Sequence, residues 1–196
     1  MKKLLILLFS LFFLSSPSVF ADDISDFEIE GISLGDSLLD YMTEDEIMSN
    51  KINYFDDERQ YYVVGSGNLN FESFESIEFY LKQNDKKFII QFLTAFIFSI
   101  NNINDCKTKK AEIERSIKST LTSTDGVDYG TIAHSFDLSG KSKVIPTAFW
   151  LGSDFVRTEC TIWSDEIKNG NPDWSDSLSL TAGRGEVNEW FNNGYK

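Results

Sequence analysis

The chain has 196 residues, with 18 Lys and Arg against 31 Asp and Glu, one His and two Cys. A formal charge of −13 repels phosphate backbones, and the only basic run, Lys107 to Lys118, is interleaved with Glu112 and Glu114, which argues against a nucleic-acid partner. Two Cys and one His are too few for a structural zinc site, and no metal or cofactor is expected.

The first segment reads as an export signal. Lys2-Lys3 is a positive start, Leu4 to Leu14 is an apolar stretch broken only by Ser10, and Val19-Phe20-Ala21 is a small-x-small cleavage site. Residues 1–21 are therefore set apart as a cleaved signal peptide, and residues 22–196 are read as one domain in the periplasm or outside the cell. Loss of Lys2 and Lys3 takes the mature charge to −15. Phe88 to Ile100 spans 13 residues and carries Gln91, Thr94 and Ser99, short of the roughly 20 apolar residues of a membrane-spanning helix.

Along the mature chain, Phe27-Glu28-Ile29 begins to alternate, and Gly31 to Leu39 reads as a strand or turn entering a helix with Leu38, Leu39 and Met42 on its apolar face. Thr43-Glu44-Asp45-Glu46 is a capping box, so a short helix follows to about Asn50 with Ile47 inward. The acidic Asp56-Asp57-Glu58 cluster precedes a strand at Tyr61 to Val64. From Phe71 to Lys82, Phe71, Ile77, Phe79 and Leu81 share one parity and Glu72, Ser76, Glu78 and Lys82 the other, the pattern of a half-buried strand.

Phe88 to Ile100 is apolar or small on both parities, as a central strand covered on both faces would be. The period then changes: Ile113, Ile117 and Leu121 lie at helical spacing, predicting an amphipathic helix over Lys107 to Leu121 with Asp105 or Thr108 as its cap. Strands return at Val144 to Leu151 and Phe155 to Trp163, with Val156, Cys160 and Ile162 facing inward. Asn169 to Asp173 reads as a loop, Leu178 to Ala182 alternates again, and Val187, Trp190 and Phe191 suggest a terminal helix.

Helix, strands, helix, strands, with hairpin-length connections, predicts an α+β fold: an antiparallel sheet with two main amphipathic helices. The halves 33–100 and 107–183 could each be a helix-plus-meander unit. Cys106 and Cys160 are the only available pair in an oxidising compartment, predicting one disulfide whose loop of about 54 residues would stabilise the fold by roughly 4 kcal/mol on chain-entropy grounds.

Gly35-Asp36-Ser37-Leu38 resembles the opening block of the GDSL, or SGNH, family of secreted esterases and lipases. That resemblance implies Ser37 as a nucleophile, which would need His134, the sole imidazole, as its base. The family's Asp three residues before the His is here Thr131, and a helix start with Asp36 or Ser37 as cap explains the same residues without chemistry. The longer string Gly35 to Tyr41 is similar to the helix opening of small exported bacterial proteins of unknown function, which implies nothing about activity. Gly31-Ile32-Ser33-Leu34-Gly35 matches the nucleophile-elbow pattern but comes too early for that fold, so Ser33 reads as a helix cap.

The remaining candidates lie near the end of the chain. Asp165, Glu166, Asn169, Asn171, Asp173, Trp174 and Asp176 form an acidic, aromatic-bearing segment that could bind a partner, although as a calcium loop from Asn169 it has Trp174 where Gly is needed and Leu180 where the bidentate Glu is needed. Tyr61, Tyr62, Trp150, Trp163 and Trp190 could join Trp174 in a ligand platform. The expectation is an exported, disulfide-stapled, non-catalytic binding module for an envelope protein or a small ligand, with a divergent GDSL-type esterase using Ser37 and His134 as the alternative.

Overall fold

The computed structural model describes residues 23–54, 59–171 and 174–193. The expected signal peptide, the Asp56-Asp57-Glu58 cluster and Asp173 lie outside the described residues.

A 3₁₀ turn at Ile24–Asp26 leads into a two-strand hairpin, β1 (Glu28–Ile29) and β2 (Ile32–Ser33). Glu30 and Gly31 both have positive φ at its turn, the backbone of a tight two-residue hairpin. Gly35-Asp36-Ser37 then opens a single 3₁₀ turn, Leu38–Asp40, where a longer helix was expected. Leu38 is buried and Leu39 is exposed, because one turn has only one inner face. The Thr43 capping box forms as expected and starts α1 (Glu44–Ser49), with Ile47 buried.

The chain next builds β3 (Lys51–Ile52), β4 (Tyr61–Gly65), β5 (Ser76–Lys82) and β6 (Ile90–Ile97), and crosses over through α2 (Ile103–Thr120). It returns through β7 (Val127–Asp128), β8 (Ile132–Ala133), β9 (Lys143–Leu151), β10 (Asp154–Ile162), α3 (Asp165–Gly170), β11 (Ser177–Gly183) and α4 (Gly185–Asn192). β3 to β11 form one sheet of order β3-β4-β5-β6-β11-β10-β9-β7, with β8 also on β9, and every pairing is antiparallel. The fold is thus α+β with an antiparallel sheet, as expected.

Two meanders, β4-β5-β6 and β9-β10-β11, meet through their last strands. Thr94 faces Thr181 at that seam, and their hydroxyls are 3.1 Å apart. The segments ahead of the two meanders differ, a 3₁₀ turn and a six-residue helix in one case and the 18-residue α2 in the other.

Strand alternation assigns the two faces. Ile77, Phe79, Leu81, Leu93, Ala95, Val156, Leu180 and Ala182 enter the main core with Leu38, Ile47 and the residues of the β1–β2 hairpin. α2 lies over β10 and β11 on that face, adding Ile117 to the core. Cys106 and Cys160 are disulfide-bonded and pack with Ile145 and Leu178. Next to this link, buried Lys110 donates to Glu114 and to Thr147 Oγ1 (2.6 Å), while Thr158 Oγ1 donates to Glu114 at 2.9 Å. Burial pushes the Glu114 carboxyl up, but the bonds from Lys110, Thr158 and Thr147 outweigh it and hold the group below its ordinary value.

α2 begins four residues before the expected start. Asn102, not Asp105 or Thr108, is its cap, accepting from the amides of Asn104 (2.9 Å) and Asp105 (3.1 Å). Strand β5 begins at Ser76, so Phe71 reaches the core from a loop. The expected loop at Asn169 begins inside α3, whose cap Ser164 accepts from Ile167 N. Among the described residues no helix is long and apolar enough to cross a membrane.

On the opposite face, α4 covers the end of the sheet near Gly183, where Trp190 and Val187 pack with Tyr61, Phe92 and Phe155. A Cβ on Gly183 would meet Phe92 Cδ2 at 2.6 Å and Phe155 Cζ at 2.8 Å. Gly183→Ala is therefore expected to destabilise the protein by about 1–3 kcal/mol in urea unfolding, because both rings are held from behind by α4. Replacing both Cys106 and Cys160 by Ser is expected to remove about 2–4 kcal/mol in the same measurement.

Candidate functional site

Past α4 the second face of the sheet is open. On β10 the outward parity is Phe155, Arg157, Glu159 and Thr161, flanked by Trp150, Ala148, Pro146 and Val144 of β9 and by Gly183, Thr181, Ser179 and Ser177 of β11. β7 and β8 rise along the far side of β9 and bring Tyr129, Ile132 and His134 to one wall. α4 forms the other wall with Asn188 and Asn192, four residues apart on one helix face.

Two depressions of ≈ 440 Å³ and ≈ 340 Å³ occupy this face. They share Arg157, Glu159, Asn188 and Asn192, so together they make one continuous groove. The larger end is lined by Tyr129, Ile132, Pro146, Ala148 and Trp150, and the smaller by Tyr80, Phe92, Phe96 and the hydroxyls of Thr94, Thr161 and Thr181.

Arg157 stands at the junction. Its guanidinium carbon is 5.6 Å from the centroid of the Phe155 ring, a cation–π contact. Among the described residues it makes no hydrogen bond or ion pair, and its Nε is buried without a partner. An unpaired N–H out of water costs the fold free energy. Glu159, two positions along, receives only a 3.5 Å contact from Thr161 Oγ1.

At the groove's edge His134 Nδ1 accepts from the Phe136 amide at 3.1 Å, which fixes the proton of the neutral ring on Nε2. Burial lowers the imidazole's pKa, and the opposing pull of Glu159 and Asp137 is smaller. The ring lies 4.2 Å from that of Trp163, which continues through Trp174 (4.7 Å) to Phe136 (5.3 Å). Beyond it the loop carrying exposed Phe136 and Leu138 is tied down by Asp137. That carboxylate accepts from Ser139 N (2.9 Å), Ser142 N (2.8 Å), Ser142 Oγ (2.6 Å) and Ser164 Oγ (3.3 Å).

The sequence-based candidates fall elsewhere. Ser37 caps its 3₁₀ turn, accepting from Leu39 N at 3.2 Å while donating to Lys87 O at 2.7 Å, and it forms an isolated bridge with Ile89, just before β6. His134 adjoins β8, four strand spacings away, on the order of 19 Å, and at the opposite end of the strands. The structure does not bring the two together. Ser33, expected as a helix cap, is instead the last residue of β2, with its hydroxyl 3.4 Å from Phe27 O.

In the acidic segment, Asp165 and Glu166 occupy the first turn of α3, and Glu166 meets Lys141 at 3.2 Å in solvent. Asn169 is exposed, and Asn171 Nδ2 donates to Ile167 O at 3.1 Å. Asp176 accepts from Trp163 N at 2.9 Å and pairs with Lys168 at 3.3 Å. These groups hold the segment to itself instead of converging on one point, and only Trp174 joins the aromatic row beside His134. Among the described residues no group of three or more His, Cys, Asp or Glu could hold a metal ion.

Arg157, Glu159, Asn188 and Asn192 were not among the sequence-based candidates. The signal available was the polar parity of β10, opposite to Val156 and Cys160, but it could not show which part of that face α4 leaves bare. No known protein family, curated protein or solved structure matches the chain.

Hydrogen bonds from Ser139 and Ser142 hold the Asp137 carboxyl well below the usual carboxylate range. In the unfolded chain an Asp titrates near 3.9, so this group's stabilisation is complete above about pH 4 and drains away as pH falls below that. Asp137→Asn is expected to lower the melting temperature at pH 7 and to flatten its fall between about pH 4 and pH 2, measured by thermal unfolding across that range.

Proposed function

We propose that this chain is an exported, non-catalytic binding module that takes its ligand in the groove over the open sheet face. The observation that carries the reading is Arg157: a guanidinium that makes no hydrogen bond or ion pair with any described residue, held at the meeting point of two depressions. A groove of this volume suits a small ligand, since pockets for small molecules run from about 300 to 1,000 Å³. The export pattern of residues 1–21 and the Cys106–Cys160 bond support an oxidising compartment.

Acyl transfer by Ser37 has less support. A serine nucleophile needs a base within hydrogen-bond reach, and the Ser37 hydroxyl is engaged by Lys87 O and Leu39 N, with the only imidazole at the other end of the sheet.

Two measurements on the oxidised protein test the reading together. A fluorophosphonate serine-hydrolase probe is expected to leave it unlabelled, and labelling abolished by both Ser37→Ala and His134→Ala would make it an esterase. Amide chemical shifts are then followed against a library of neutral and charged fragments. Perturbations are expected to cluster on β9, β10 and α4; a folded protein that shows none there with any fragment has no ligand site in the groove.

A further inference from the structure

We propose that the groove is a receptor for a small amphiphilic monocarboxylate, its carboxylate on the Arg157 guanidinium and its apolar body in the larger depression between Trp150 and Ile132. This assignment rests on the binding-module reading and specifies its ligand.

Charge is the first argument. The chain has 31 acidic side chains to 18 basic ones, so carboxylates are plentiful relative to cations. Arg157 nonetheless makes no ion pair with any described residue, although Glu159 projects from the same strand face two residues on. The guanidinium lies 5.6 Å from the centroid of the Phe155 ring, and its planar set of N–H donors suits one planar acceptor, the geometry of a carboxylate. The side-chain amides of Asn188 and Asn192 face the same point and make no hydrogen bond to any other described residue, so they can donate to the ligand's outer lone pairs.

Repulsion sets the ligand's charge at one. Glu159, on the same strand face, penalises a dianion such as a phosphate monoester, while at physiological ionic strength more distant carboxylates are screened beyond about 8 Å. The Arg157 contact then decides.

The apolar body follows from the walls. Trp150 is 37% exposed and Ile132 45% exposed, and Pro146 and Ala148 form the floor between them. Aromatic and branched side chains open to solvent at one end of a charged groove favour a ligand that is apolar at one end and anionic at the other.

Hydrocinnamate and octanoate, each paired with its neutral amide, test this by calorimetry and by Trp fluorescence on the intact oxidised protein. Both acids are expected to bind, and each amide roughly tenfold or more weakly, the usual worth of a charge-assisted bond. Arg157→Gln is expected to remove the preference for acid over amide while leaving amide binding within about twofold, and Arg157→Lys to restore only part of it. Trp150→Ala is expected to weaken acid and amide alike.

Equal affinity for acid and amide in the folded wild-type protein would overturn the carboxylate assignment and leave the groove as a binding site for something else. A phosphate monoester that binds more tightly than hydrocinnamate would overturn the single-charge argument. A peptide that binds through its free C-terminus, and more tightly than either acid, would overturn the small ligand. If no acid, amide or neutral fragment perturbs the groove, the binding-module reading falls with it.

Discussion

The commitment of α2 to one face of the sheet is the constraint on which the rest of the molecule depends. Two devices hold it there: the Cys106–Cys160 bond at its first turn and, one turn later, the buried Lys110 that joins Glu114 to Thr147 of β9 while Glu114 receives Thr158 of β10. A buried ion pair contributes little net stability by itself, since desolvation offsets attraction, but breaking it leaves a charge without compensation. It therefore specifies where the helix lies more than it adds to how tightly it lies there. With α2 so fixed, α4 is the helix packed on the opposite face, and its eight residues cover only the Gly183 end.

The seam between the two meanders explains why that face can carry a groove. β6 and β11 pair through six residues, Phe92 to Ile97 against Gly183 to Leu178, so the sheet runs unbroken beneath both depressions. Gly183 lets the rings of Phe92 and Phe155 close over the strand, and α4 starts immediately beyond it at Gly185, whose amide donates to Asp154 Oδ1 at 2.8 Å. The absence of a side chain at Gly183 thus leaves room for the two rings against which α4 packs. Arg157 and Glu159 sit on a central strand between these features, where backbone pairing on both sides limits their movement.

Where a feature depends on near neighbours in sequence, the sequence displayed it. The Thr43–Glu46 box, the buried parity of Ile77, Phe79 and Leu81, and the inward Cys160 all needed only a local period to be read. Features decided by distant packing were hidden. Asn102 caps α2 because the chain leaving β6 places it at the helix start, and Asp105, one of the two expected caps, instead accepts from Asn101 N. The conspicuous Gly35-Asp36-Ser37 string proved local as well: Asp36 accepts from Ser33 N and Tyr41 OH, and Ser37 caps the following turn. Arg157 carried no motif, because its isolation is a property of what does not pack against it.

The groove's charge also has a consequence for what it can hold at neutral pH. Among the described residues that line it, Arg157 and His134 are the only groups able to carry positive charge. Burial keeps His134 below its ordinary value, so it stays neutral at pH 7 and gains a proton only in acid. Its Nδ1 is already occupied as an acceptor for Phe136 N, and protonation would break that bond and loosen the start of the loop that Asp137 secures. At neutral pH the site therefore presents one fixed cation beside one fixed anion, Glu159. Such a pair discriminates by position, not by net attraction: an anionic group gains only if it reaches Arg157 while keeping away from Glu159, and a small head on an apolar body achieves that where a larger anion cannot.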